Sequence, residues 1–298
     1  DHLDYHGTMA RYGATKAKLF KEFNAKNIVI NIEDSFGRSL FMDLVKQIGK
    51  IIWLYGLQPT AFNHLEGLKD RFKSVYLQEY CFTENAYQCK IVIDGSVYPC
   101  SIPVLGEFNL ANALAVIATL MTQGMSASEA LRRIEQVSPV RGRMEIIKGV
   151  KAYAPMMVVD YAHTPDALEK AISALRPHVL GRLVAVIGAG GDRDPFKRPL
   201  MGAAAAGAAD FVFVSDDNPR SEDPSEIRKM VISGMSEPAQ VKEVGDRAEA
   251  ILRAVDMLKP GDALLIAGKG HETGQVIGDD ILPFDDVEQA SLAVAALD

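Results

Sequence analysis

The 298-residue chain is about two domains' worth of sequence at roughly 150 residues each, and 48% hydrophobic with 24% charged residues give core enough for a soluble globular protein. Thirty-two Lys and Arg against 39 Asp and Glu leave a net charge of -7, which offers a nucleic-acid backbone no general attraction and leaves only local basic sites for small anions. The longest apolar stretches, such as 203–206 and 211–214, fall far short of the roughly 18 residues that span a bilayer, so no membrane span is expected. Cys81, Cys89 and Cys100 are odd in number, form no CxxC pair and follow no secretory leader. They read as reduced thiols of a cytosolic protein, with zinc as the alternative. The first residues are Asp1-His2 and not Met, so the chain reads as processed, truncated or part of a longer protein.

In chain order, strands are expected at 28–32 and 90–94 and a helix at 109–121, which makes the first half mixed α/β. The best break falls near Lys148-Gly149, giving domains 1–149 and 150–298. Beyond it, strands at 156–160, 183–187, 211–215 and 263–267 and a short one near Val241 alternate with helices at 165–175, 198–206, 224–235 and 246–258. A final helix starts at Asp285, with Glu288 completing a capping box. Nearly continuous apolar strands alternating with helices predict a largely parallel sheet covered on both faces, with ligands bound beyond the carboxyl ends of its strands. Polar clusters sit at those ends: 160–163, 188–194, 216–220 and 268–272.

Gly188-Ala189-Gly190-Gly191-Asp192-Arg193-Asp194 fails the dinucleotide fingerprint, because Arg193 stands where GxGxxG needs a third small residue. A tight turn accounts for the glycines but not for the arginine, which suits an anion. In Asp217-Asn218-Pro219-Arg220, Pro219 fixes φ and keeps Asn218 out of helical geometry. The flanking side chains then serve either as a carboxylate-binding fork and amide or as an Asx-type turn before the next helix. Gly268-Lys269-Gly270-His271-Glu272 is not a phosphate loop, and no GxxxxGK[ST] occurs anywhere in the sequence. Near the amino end, His2 and Asp4 precede Tyr12 and Lys16. A histidine with acidic neighbours serves either as a ligand for a divalent ion or as a surface residue.

Taken together, HLDYHG, Tyr12-x-x-x-Lys16, 106–112, Gly142-Arg143-Met144-Glu145, 160–166, GGDRD, DNPR and GKGHE resemble the Mur ligases, ATP-dependent amide-forming enzymes of peptidoglycan precursor synthesis. The likeness is greatest to the type that adds meso-diaminopimelate to UDP-N-acetylmuramoyl-L-alanyl-D-glutamate. It implies the later part of a central ATPase domain followed by a whole Rossmann-like carboxyl-terminal domain. In such ligases the γ-phosphate of ATP passes to a substrate carboxylate, and the amino acid's amine attacks the acyl phosphate.

The resemblance makes His2 a magnesium ligand and Lys16 a carbamylated lysine at the same ion. Asn109 and Asn112, three apart and so on one helix face, become adenine readers with Arg143 beside the base. Asp160 becomes the ribose-binding acid and His163 a residue near the phosphates. Arg193, Asp217, Asn218, Pro219, Arg220, Gly268 and Glu272 match the amino-acid site. A cytoplasmic monomer acting on small molecules, with no nucleic-acid partner, is implied. Asn31-Ile32-Glu33-Asp34 departs from the family's double-aspartate string, and the phosphate loop and UDP-sugar domain are not in this sequence, so the chain alone is expected to be inactive. The rival expectations are a noncatalytic amino-acid or nucleotide-binding module, or a lysine-adding or folate-tail relative, and DNPR argues against the last two.

Overall fold

A computed structural model of the chain describes residues 6–23, 25–83, 86–147, 155–236 and 239–297. Two compact units divide between Ser138 and Pro139. The break expected at Lys148-Gly149 lies outside the described residues. The division comes earlier because β6 (Glu145–Ile147) pairs with β7 (Met156–Asp160) in the sheet of the second unit.

The first unit runs α1 (Met9–Lys21), β1 (Asn27–Asn31), α2 (Ser35–Leu44), β2 (Ile51–Gly56), a 3-10 segment (Pro59–Arg71), β3 (Lys73–Thr83), β4 (Ala86–Ile93), β5 (Ser96–Ile102), α3 (Glu107–Thr122) and α4 (Ala127–Ile134). Its sheet has the order β1-β2-β3-β4-β5, parallel through β3 and antiparallel beyond. Leu110, Leu114 and Ile117 form an i, i+4, i+7 stripe on α3, and they pack on Val75, Leu77, Ile91 and Ile93. Each such side chain contributes about 1.5–3 kcal/mol by leaving water. Ile28, Ile30, Phe41, Leu44 and Leu54 form a second cluster. The expected strands at 28–32 and 90–94 and the helix at 109–121 correspond to β1, β4 and α3, with shifted ends.

In the second unit, β6 and β7 lead to α5 (Pro165–Leu175), β8 (Leu183–Ile187), α6 (Lys197–Ala208), β9 (Phe211–Val214), α7 (Pro224–Ser233), β10 (Gln240–Glu243), α8 (Arg247–Asp256), β11 (Ala263–Ala267), the hairpin β12 (Gly274–Ile277) and β13 (Asp280–Pro283), and α9 (Asp286–Leu297). The large sheet has the order β10-β9-β8-β11-β7-β6, and only β6 is antiparallel to its neighbour. Every residue of β8 and β11 is buried, which explains their unbroken apolar sequences. The helices start where side chains cap them: Thr164 before Pro165, Asp223 before Pro224, and Asp246. Asp285 accepts the backbone N–H groups of Val287 and Glu288 at the start of α9, which is the Asp285 half of the expected capping box. The chain steps outward from β8 to β9 to β10 and then returns to the other side of β8 as β11, so the order reverses between β8 and β11. Such reversals open a crevice at the carboxyl ends of the strands. Among the described residues, no helix is long and apolar enough to cross a membrane.

Candidate functional site

At the end of β7, Asp160 is buried and its two oxygens accept the backbone N–H groups of Met144 and Ala162, both at 2.8 Å. Burial pushes the Asp160 carboxyl up, against these hydrogen bonds and the nearby Arg143 cation. The Arg143 guanidinium lies 4.7 Å over the Tyr161 ring. That ring also packs on His163 and His271, at 4.5 and 5.0 Å between centroids. His163 Nδ1 contacts the Tyr161 carbonyl at 2.7 Å. The Gly142 loop approaches the β11 loop backbone to backbone: a Cβ on Gly142 would stand 2.2 Å from the Gly270 carbonyl carbon, and its φ is +65°. Gly142-Arg143-Met144 and Gly268 to Glu272, far apart in sequence, thus form one wall.

The loops after β8 and β9 are stapled together. The Gly191 N–H donates to the Asn218 carbonyl at 2.9 Å, and a Cβ on Gly191 would fall 1.9 Å from the Pro219 oxygen. Glycine is needed there for close approach. Asp192 accepts from the backbone N–H and hydroxyl of Ser221. Glu222 accepts the Asp192 N–H at 2.6 Å and a two-pronged fork from buried Arg198 at 2.7 and 2.8 Å. Arg220 donates from Nη1 to the Gly191 carbonyl at 2.7 Å, and its backbone pairs with the hairpin through Val276 and Gly278. Arg193 is exposed, with Nη1 on the Asp192 carbonyl at 3.0 Å. Met144, Asp192 and Arg220 all adopt positive φ, so left-handed backbone gathers at these loops.

At the centre lies Lys269, fully buried. Its Nζ donates to Asn218 Oδ1 at 2.9 Å and Glu272 Oε2 at 3.2 Å, and stands 3.6 Å from Asp217 Oδ1. Asn218 Nδ2 donates to the same Glu272 oxygen at 2.9 Å. A Cβ on Gly268 would meet Asp217 Oδ2 at 3.0 Å. Behind them, buried Arg247 forks onto Asp286 at 2.8 Å on both prongs and donates to the Ala267 carbonyl at 3.0 Å. Burial alone lowers the Arg247 pKa, but the Asp286 carboxylate outweighs it and the guanidinium is held charged. Half-buried Lys197, at the start of α6, donates to the His163 carbonyl at 3.3 Å, and burial pulls its pKa down despite Asp217 and Asp194.

The structure therefore brings together Asp217, Asn218, Pro219, Arg220, Gly268 and Glu272, and separately Arg143, Asp160 and His163, with Gly142 and Gly270 joining the two groups. Lys269, Lys197, Arg198 and Arg247 carry no role in the sequence motifs. The available signal for Lys269 was an isolated lysine between two glycines directly after an apolar strand, three residues before an acid.

In the first unit, Asn109 Nδ2 donates to the Leu105 carbonyl at 2.8 Å, and Asn112 Nδ2 faces Asn109 Oδ1 at 3.3 Å. The two amides do share one side of α3. Lys16 is exposed on α1 with Nζ 5.4 Å over the Tyr12 ring, and Tyr12 packs on His6. Glu33 accepts the Gln58 N–H at 2.7 Å. His2 and Asp4 lie outside the described residues. Among the described residues, no group of three or more His, Cys, Asp or Glu is gathered for a metal. The three cysteines are free: Cys89 and Cys100 are buried in facing register, and Cys81 is exposed.

Two family patterns match the chain, the Mur ligase middle domain over residues 1–120 and the Mur ligase glutamate ligase domain over residues 142–270. The UDP-N-acetylmuramoyl-L-alanyl-D-glutamate--2,6-diaminopimelate ligase of Ectopseudomonas mendocina (strain ymp) is 42% identical over 298 residues, which is 99% of this chain and 58% of that protein. The enzyme of the same name from Synechocystis sp. is 40% identical over 295 residues, 99% of this chain and 56% of that one. A solved structure of a ligase of that name superposes with a TM-score of 0.64 at 34% identity, covering all of this chain and 58% of the other. A Mycobacterium tuberculosis folylpolyglutamate synthase superposes at 0.58 and 16% identity, with 92% and 64% covered, and so shares the fold. The chain spans little more than half the length of the curated relatives it matches.

Proposed function

The chain belongs to the Mur ligase family, and from that premise we propose that it supplies the later ATP-binding part and the amino-acid-binding domain of an ADP-forming ligase. That ligase joins meso-diaminopimelate to UDP-N-acetylmuramoyl-L-alanyl-D-glutamate through an acyl phosphate. The observation that carries this reading is the cluster of Arg220, Asn218 and Glu272 at the strand-end rim of a parallel sheet. Diaminopimelate carries two carboxylates and two amines. Arginine forks and a donor amide suit the carboxylates, and an acid suits an ammonium. We assign Arg193, Asp217, Asn218, Pro219, Arg220, Gly268 and Glu272 to this amino acid. Its free amine forms the new C–N bond at the acyl carbon while the acyl–oxygen bond breaks and phosphate leaves.

For ATP, Asp160 fits a ribose: each carboxylate oxygen accepts one backbone N–H and keeps acceptor capacity for a hydroxyl. Asn109 and Asn112 present amides suited to adenine, Arg143 supplies a planar cation beside the base, and His163 belongs near the phosphates. His2 and Lys16 would hold magnesium, which when bound neutralises phosphate charge. The Lys16 ammonium becomes a suitable oxygen donor only as a carbamate, and its exposed position leaves the amine open to carbon dioxide. We place the complete enzyme in the cytoplasm as a monomer, serving cell-wall biogenesis and through it cell shape and division.

Calorimetric titration tests the reading. The chain should bind meso-diaminopimelate about tenfold or more tightly than L-lysine, which lacks the second carboxylate. With ATP and UDP-muramoyl-dipeptide added, it should release no ADP, since no GxxxxGK[ST] occurs in it. Equal binding of the two amino acids, or robust ADP release, would overturn the proposal.

A further inference from the structure

The Lys269 ammonium has no part in the roles assigned above, yet it touches or adjoins three residues that do. Asn218 Oδ1 accepts from Lys269 Nζ and from the Val276 N–H, both at 2.9 Å. A primary amide has two acceptor lone pairs and two N–H groups. Here both lone pairs are spent on groups that donate only. One N–H is spent on Glu272 Oε2, an atom that also accepts from Lys269. A flipped amide would set its NH2 against two donors and its oxygen against a carboxylate, so the orientation is fixed. Asn218 then meets a ligand only as a donor, through its remaining N–H, and half-exposed Glu272 meets one through Oε1. Removing the ammonium would leave Asp217 and Glu272 with one fewer cation between them and would free an acceptor on Asn218.

We propose that Lys269 is a positioning residue that fixes the polarity of the amino-acid site, committing Asn218 to a ligand carboxylate and Glu272 to a ligand ammonium. This rests on the amino-acid reading of the site and adds a mechanism of selectivity: the anionic and cationic ends of the ligand cannot exchange places. A lysine that merely fills space would affect all ligands alike. A lysine that sets polarity discriminates between ligands that differ only in charge at one end.

The test compares equilibrium binding of meso-diaminopimelate and L-lysine to the 298-residue chain and its variants. Lys269→Met keeps an unbranched chain only one heavy atom shorter and removes its charge. It should reduce the preference for diaminopimelate about tenfold or more, the value of one charge-assisted contact. Lys269→Leu, a second uncharged side chain of apolar bulk, serves if the methionine variant does not fold, and it should show the same loss. A preference kept intact in a folded variant, with both affinities falling by one factor, overturns the proposal. A wild-type chain without any preference refutes the amino-acid reading itself. A ligand-free arm separates the two. In the native chain Lys269 should resist an amine-acylating reagent that labels exposed Lys242, and Asn218→Ala should expose it to labelling. Labelling of native Lys269 at the rate of Lys242, or full protection in Asn218→Ala, also overturns the polarity proposal.

Discussion

Replacing Arg220 separates the hydrogen bond its side chain makes from the carboxylate contact proposed for it. Its Nη1 is turned inward to the Gly191 carbonyl at 2.7 Å and lies 3.5 Å from the Asn218 carbonyl. A guanidinium has five N–H donors, so Nε and Nη2 remain as the parallel pair that would grip the proposed carboxylate side on. Loss of that grip costs about 1.5–3 kcal/mol, or roughly ten- to a hundredfold in affinity for diaminopimelate. Loss of the Gly191 bond costs about 1 kcal/mol of stability. The backbone at Arg220 has φ of +53°, a left-handed conformation that strains any residue with a Cβ by roughly 1–2 kcal/mol. Arg220→Ala keeps that strain and Arg220→Gly removes it, so the glycine variant should be the more stable, by up to about 1 kcal/mol after its extra chain entropy. Both should bind equally poorly. Calorimetric titration alongside chemical denaturation reads the two effects apart. Unchanged diaminopimelate affinity in Arg220→Ala, or affinity that recovers with stability in Arg220→Gly, would refute the carboxylate assignment and return DNPR to a turn.

Gly142→Ala drives a Cβ to 2.2 Å from Gly270 backbone at positive φ, and should cost about 2–5 kcal/mol in urea unfolding; a change below about 0.5 kcal/mol would show that the two loops do not abut. Arg247→Met strands Asp286 in the core and should cost about 3–5 kcal/mol, with much of the loss recovered in Arg247→Met/Asp286→Leu; a double variant no better than the single would argue against a paired charge. Burial pushes the thiols of Cys89 and Cys100 up to about 12, so both stay protonated at pH 8. Iodoacetamide should therefore modify exposed Cys81 alone in the native chain and all three cysteines once it unfolds, as mass spectrometry would count.

The second unit was the more legible because its signals are local. Leu183–Ile187 and Ala263–Ala267 are apolar from end to end, and Thr164-Pro165, Asp223-Pro224 and Asp246 mark helix starts within a few residues of the helices they cap. β6 leaves no signal in the sequence, because three residues paired to a strand across an interval of sequence show no periodicity. The hairpin β12–β13 carries exposed residues on most positions and so lacks the apolar alternation of a half-buried strand. In the site, DNPR and GKGHE stood out as strings, but nothing in either string says that Asn218 and Lys269 touch. That contact depends on β9 and β11 ending on the same rim, with β8 between them. The Glu222 fork to Arg198 is hidden for the same reason: its partners lie on different elements, and a charged pair on a helix start reads as solvated surface.

The placement of β11 bears on how the second unit comes into being. It is the last of the parallel strands in the chain and yet occupies an interior position, between β8 and β7. An amino-terminal fragment of this unit ending before Ala263 would hold β8 and β7 apart with the middle of the sheet missing, so no early-folding piece possesses the crevice. Contacts of such long sequence separation form slowly because loop closure must precede them. On refolding, amide protection between β8 and β9 should therefore appear before protection in the ladders that β11 makes with β7 and β8, and ligand-binding capacity should arrive with the second event. During synthesis the same order keeps the rim unfinished until β11 has emerged.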